Sequence, residues 1–412
     1  MPSRRRFMGM TAMAAGGLSG VRPLGTLAAE QNSAGPGNAP GITDTEIKIG
    51  QTMPYSGPIS AYGAIGRAQL AYFKRLNEQG GINGRKINLI SLDDGYSPPK
   101  TVEQIRRLVE VDQVAFIFQS LGDVTNAAVQ RYLNDRHIPQ LFLADGSGSW
   151  DDPQHFPWTM AWQPSFRTAG HIDARYILEN KPDAKIAVLV QDSLAGKDYL
   201  GAVKAVLGSK AGTMIVKELT YQVTDSTIDS QIAVLQASGA DTFFDFTVPK
   251  FAAQAIRKIY DIGWKPLHML SYISSSVSVT LKPAGLEKCV GMMSTGFLKF
   301  PMDPQWQDDP AMKEFMHWRG EHYTEGEKDD ADIVYAYLIA QTLEQVLRQC
   351  GNDLSRENIM RQAANLHELE LPLLLPGIRV NTSPTDYRPV KQMRPMRFNG
   401  RNWELAGDLI TG

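Results

Sequence analysis

From residue 46 onward the apolar positions follow two rhythms in alternation. In 46–52 (EIKIGQT) Ile47 and Ile49 alternate with polar residues, the period of a strand. After a Gly/Pro loop, a 3.6-residue period sets Ile65, Ala68, Tyr72 and Leu76 on one helix face, and Gly80-Gly81 closes that helix. A strand is predicted over 86–92, then a helix opened by Pro98-Pro99 with Val102, Ile105, Leu108 and Val109 inward. A wholly apolar strand over 114–118, a helix over 125–135 and a strand over 138–143 follow. Strand and helix alternating at this spacing predict parallel βαβ units with helices on both faces of a sheet. The rhythm restarts after Pro164. Helices over 166–180, 197–207, 227–237 and 250–262 interleave with strands over 185–191, 214–221, 242–248 and 268–272. The pattern thus predicts an α/β chain of two doubly wound parallel-sheet lobes. A helix with Ile333, Val334, Tyr337 and Leu338 on one face, another after Ser355, and a hairpin of 391–398 and 403–406 across Asn399-Gly400 complete it.

Residues 1–29 stand outside this rhythm. Arg4-Arg5-Arg6, a weakly apolar stretch broken by Gly9, Gly16, Gly17 and Gly20, and small residues up to Ala29 are the three parts of an export signal. Arg4-Arg5 followed by Phe7 resembles the twin-arginine motif. Cleavage after Ala28 or Ala29, with no Cys nearby to accept a lipid, implies a free periplasmic protein that is not lipid-anchored. Residues 30–45, rich in Gly, Pro and Asn, read as a flexible lead-in. A net charge of −2 over 412 residues removes the electrostatic reason to expect nucleic acid. Cys289 and Cys350 are too few for a disulfide framework or a Cys-rich metal site; they read as buried free thiols, with a pairing between them left open.

Ligands of open parallel sheets sit beyond the carboxyl ends of the strands. The loops there, 53–63, 93–97, 119–126, 144–150, 192–199, 248–251 and 271–278, are small and polar. Gly122, Gly146 and Gly148 let backbone amides approach a ligand, and amides at a helix start near 123–126 favour an anion. Dinucleotide fingerprint, phosphate loop, nucleophile elbow and HExxH are all missing, and His317 and His322, five apart, project from different helix faces. The chain therefore reads as a binding protein and not an enzyme, with no cofactor and no metal.

The segments IKIGQTMPYSGPISAYG, NEQGGINGRKINLISLDDGYSPPKTVEQIRRLV and KIAVLVQDSLAGKDYLGAV, with the helix after TVPKFAAQAIRKI, resemble the periplasmic substrate-binding proteins of branched-chain amino acid (Leu/Ile/Val-binding-like) ABC transporters. The resemblance runs over about residues 46–405. It implies a periplasmic binding protein type I fold, with lobe 1 made of 46–163 plus 295–392 and lobe 2 of 164–294 plus 393–412. A three-segment hinge would cross near 162–166, 293–296 and 392–396. The partners implied are a small-molecule ligand and an inner-membrane ABC permease with its ATPase, and the expected state is a monomer.

Members of that family holding leucine or valine grip the ligand carboxylate in loops that match Gly122, Gly146 and Ser147, with a tyrosine matching Tyr62. They hold the ammonium with a Glu in the loop matching 271–278 and with tyrosines matching Ala195 and Val248. Here that Glu and both tyrosines are missing. A buried ammonium without a counter-charge is costly. The expected ligand is accordingly a small carboxylate with an aromatic or apolar body. Its anion would lie near Gly122, Gly146 and Ser147, and its body between Tyr62 and Ala195, Val248, Tyr272 and Ser274. The alternatives are a branched-chain amino acid, with Asp192 or Asp123 as the missing acid, a short amide or urea, and a periplasmic sensory protein that presents the same solute to a receptor.

Overall fold

The structure, a computed structural model, describes residues 39–412; the expected signal segment 1–29 and residues 30–38 of the lead-in lie outside the described residues. Lobe 1 begins with β1 (Glu46–Met53), α1 (Gly63–Glu78), β2 (Lys86–Asp93) and α2 (Pro98–Arg106). It continues with β3 (Ile117–Phe118), α3 (Asp123–Asp135), β4 (Gln140–Leu143) and β5 (Thr159–Ala161). The five strands are parallel in the order β2-β1-β3-β4-β5. Ile65, Ala68, Tyr72 and Leu76 of α1 are all buried, as their period requires. β5 is three residues long, too short to show a period, and escapes the sequence pattern.

Lobe 2 begins with α4 (Phe166–Asn180), whose N-terminus is capped by Ser165 accepting from Thr168 N. Then come β6 (Ile186–Gln191), α5 (Leu194–Leu207), the single turn α6 (Ala211–Met214), β7 (Ile215–Tyr221), α7 (Asp229–Ala237) and β8 (Thr242–Phe246). α8 (Pro249–Asp261), β9 (Leu267–Leu270), the turn α9 (Lys282–Ala284) and β10 (Met293–Gly296) follow. The chain returns to lobe 1 for α10 (Pro310–His322), α11 (Ala331–Cys350) and α12 (Arg356–Ala363). α11 packs on α1 through Tyr337 and Tyr72, whose ring centroids are 5.1 Å apart. It closes with β11 (Gln392–Phe398), β12 (Trp403–Leu405) and β13 (Ile410–Thr411). The second sheet runs β12-β11-β10-β9-β8-β6-β7, parallel from β10 to β7, with β11 antiparallel to both β10 and β12.

Two of the three expected hinge segments need correction. Residues 293–296 are β10 and residues 392–396 belong to β11, both strands of the second sheet. Met293, Ser294, Thr295 and Gly296 are all buried and pair with β11, and Met293 and Ser294 also pair with β9, so one crossing follows Gly296 and the return precedes Gln392. The end of the lead-in is likewise not free. Ala39 and Ile42 are buried, and Gly41 sits at φ +79° where an added Cβ would meet Gln113 O at 2.5 Å. Cys289 and Cys350 are separate buried thiols, each pushed up to about 12 by burial. Among the described residues no helix is long and apolar enough to cross a membrane.

Candidate functional site

Each sheet reverses its strand order once, between β1 and β3 in lobe 1 and between β6 and β8 in lobe 2. The loops after these strands diverge there and leave a crevice, the general ligand position of doubly wound sheets. The two crevices face each other across a space of about 990 Å³, its mouth included. Lobe 1 presents Tyr62, Tyr96, Gly122, Asp123 and Asp145 to it; lobe 2 presents Ala195, Tyr221, Phe246, Val248 and Tyr272. Gly122, at φ +103°, is required by the packing itself, since a Cβ there would lie 2.3 Å from the Tyr96 ring.

The lobes are closed on this space. Tyr62 Oη donates to Ile273 O at 3.0 Å, Ala195 N to Asp123 Oδ2 at 3.2 Å, and Gly148 N to Asp198 Oδ2 at 2.6 Å, each bond joining lobe 1 to lobe 2. Lys282 reaches across to Asp329 at 2.8 Å. Along the cavity wall, rings pass the contact through the hinge. Tyr199 stacks on Phe246, Phe246 meets Phe166, Phe166 meets Tyr272, and Tyr272 meets Phe297. Trp162, on the first crossing, then joins Phe297 to Tyr335 of α11. Gln163 ties the same wall together, donating to Tyr272 Oη at 2.9 Å and accepting from Tyr335 Oη at 2.8 Å.

The charge in the cavity is of one sign. Asp123, Asp145 and Asp332 line it, and among the described residues no lysine, arginine or histidine does. Asp145 accepts from Ser147 N at 2.8 Å and from Trp150 Nε1, yet burial, with Asp123 nearby, pushes its carboxyl up to about 7. Burial also raises Asp332, with Asp330 adding to the effect. The phenols of Tyr62, Tyr96, Tyr221, Tyr272 and Tyr335 are raised by burial too, and so stay neutral.

Of the residues singled out from sequence, Tyr62, Gly122, Ala195, Val248 and Tyr272 line the cavity. Four do not. Gly146 and Ser147 pack behind it against the first crossing, where a Cβ on Gly146 would meet Pro164 O at 2.9 Å. Ser274 is buried and donates to Thr247 O at 2.5 Å, leaving its neighbours Ser275 and Ser276 at the wall. Asp192 is exposed and accepts from Gln222 Nε2 at 3.1 Å, outside the cavity. The 271–278 loop does lack an acid, but acids arrive from other elements. Asp123 and Asp145 lie in loops already marked by their position, whereas Asp332 and Tyr335 come from the start of α11, where only an apolar helical period is visible in the sequence.

The sequence model of the family described as periplasmic binding protein matches residues 46–402. Leu/Ile/Val-binding protein homolog 1 of Brucella abortus is 28% identical over 325 residues, covering 76% of this chain and 81% of that one. A branched chain amino acid ABC transporter protein from Thermus thermophilus with bound valine superposes with a TM-score of 0.80 at 15% identity, covering 90% of this chain and 98% of the other. A solute binding protein of an ABC transporter from Rhodopseudomonas palustris BisB5, in complex with 3,4-dihydroxy benzoic acid, gives 0.74 at 16% identity, covering 89% and 97%. At these identities the structural likeness speaks for the fold.

Proposed function

Because the chain belongs to the periplasmic binding protein family, we propose that it captures a small molecule with a large aromatic or apolar body between its lobes and hands it to an inner-membrane ABC permease and its ATPase. It is a substrate-binding protein of the ABC-transport type, and the family implies a periplasmic location. The observation that carries the narrower reading is the interlobe cavity itself, walled by rings from both lobes and bridged by the Tyr62 to Ile273 bond. Apolar ligand surface buried against such walls supplies most of the affinity, and the few polar groups fix orientation. Export through the twin-arginine route, on the strength of Arg4-Arg5 and Phe7, and action as a free monomer are part of the same proposal.

The organic acid favoured from the sequence loses its support. It rested on the missing acid in the 271–278 loop, and although that loop has none, Asp123, Asp145 and Asp332 line the cavity with no cation among the described residues to balance a further negative charge. A thermal-shift screen of the purified protein against aromatic amines, aromatic alcohols, aromatic acids and amino acids tests the capture reading. A true ligand at 100 times its Kd should add roughly 2.7 kcal/mol of stability. The same ligand should lower the radius of gyration in small-angle scattering, since closure is a hinge motion of two rigid lobes. Silence across the whole panel would count against capture.

A further inference from the structure

The amides best placed to hold a ligand carboxylate are already occupied. Val124 N, in the first turn of α3, donates to Asp123 Oδ1 at 2.7 Å, and Ala195 N, in the first turn of α5 in the other lobe, donates to Asp123 Oδ2 at 3.2 Å. Helix N-termini attract negative charge, and Asp123 supplies it to both at once. In the loop after β4, Ser147 N and Trp150 Nε1 donate to Asp145, while Gly148 N donates to Asp198 Oδ2. The protein's own carboxylates thus fill the positions that an acidic ligand would need.

Asp332 differs from these. Its Oδ2 is buried at the cavity wall and has no hydrogen-bond partner. The donors around it are spoken for: Tyr62 Oη donates to Ile273 O, Tyr335 Oη to Gln163 Oε1, and Ser276 Oγ faces Asp330 Oδ1 at 3.4 Å. A buried carboxylate without a partner is expensive, and with no lysine, arginine or histidine among the described residues lining the cavity a cation to pair with its charged form can come only with the ligand. Tyr62 and Tyr335 line the same cavity as Asp332, and the face of an aromatic ring attracts a cation.

We infer that the ligand is an arylalkyl amine without a carboxylate, its ammonium held by Asp332 and its ring by the aromatic walls, an inference that rests on the capture reading above. The raised affinity of the Asp332 carboxyl for its proton fits a group waiting for a partner, and an ammonium beside it would return it to the charged form. Asp332 is then a specificity residue, set on α11 of lobe 1 and not in the 271–278 loop of lobe 2.

Calorimetric titration of the purified protein with phenethylamine, 3-phenylpropionate and 2-phenylethanol separates charge from shape, because the three share a ring. Phenethylamine should bind at one site and the other two at least tenfold more weakly. Asp332→Asn should lower phenethylamine affinity at least tenfold at a melting temperature no lower than the parent's, and Asp332→Glu should recover part of the loss. Binding of 3-phenylpropionate or 2-phenylethanol as tight as that of phenethylamine overturns the charge assignment and leaves capture standing. Phenethylamine affinity indifferent to Asp332→Asn overturns the role of Asp332 alone. No heat from any of the three, with silence in the thermal-shift panel, overturns both.

Discussion

Trp162→Ala should destabilise the protein by about 3–5 kcal/mol, the range for removing a fully buried large aromatic side chain, and weaken solute capture with it. Trp162 is wholly buried on the first crossing between the lobes. Its ring joins Phe297 at 6.2 Å to Tyr335 at 5.9 Å, both of which line the cavity, and its Nε1 donates to Thr342 Oγ1 at 2.9 Å. The substitution therefore opens a void at the point where the two lobes share a wall, and neither lobe can refill it without shifting the other. Trp162→Phe keeps most of the ring and should cost less, chiefly the lost hydrogen bond of about 1 kcal/mol. Denaturant melts of the three proteins check the order. An alanine variant as stable as the parent would mean that the hinge wall carries little of the stability.

Asp173→Asn should stabilise the protein at pH 8 and change little near pH 4. Asp173 lies on the face of α4 that packs on α5, 2% exposed, with Tyr199 Oη donating to Oδ2 at 2.8 Å and Oδ1 without a partner. Burial raises its carboxyl to about 7, against an ordinary value of 3.8. The folded state thus holds a proton that the unfolded state releases, so stability is full below about pH 4 and falls as pH rises towards 7. At about 1.4 kcal/mol per unit, the penalty reaches roughly 4 kcal/mol above pH 7, an upper figure. Asparagine carries no charge to bury and escapes it. Asp145 titrates in the same window for the same reason, so the parent protein should melt at a higher temperature at pH 5 than at pH 8. Melting both proteins across pH 4 to 8 tests this. A gap between them that does not widen with pH would remove the assignment.

The long periodic elements were readable because each has enough turns or alternations to declare a period. α4 begins at Phe166 and ends at Asn180, where the pattern places it. β5 and β10 were not, since three or four residues of mixed character declare none, and β10 owes its place to partners on both edges. The loops around the cavity follow from topology, since whatever stands after β1, β3, β6 and β8 must border the crevices. Side-chain direction within those loops does not follow. Ser274 turns to Thr247 while Ser275 and Ser276 face the cavity, a difference of one residue that the serine run conceals. The charge of the site was least legible of all. An empty 271–278 loop says nothing about Asp332, which approaches from the opposite lobe, nor about whether the amides near Gly122 are free, and Asp123 has taken them.

The central claim is that one solute molecule lies between Tyr62 and Tyr272 while the lobes close on it. Calorimetric titration of the parent and of Val248→Trp, with the solute that gives the largest thermal shift, tests it most directly. Val248 borders the cavity at the start of α8, and an indole there would occupy the solute's space while leaving both sheets untouched. One molecule per chain should bind the parent, and Val248→Trp should lose at least a hundredfold in affinity at an unchanged melting temperature. Equal binding by the two proteins would place the solute elsewhere and contradict the account.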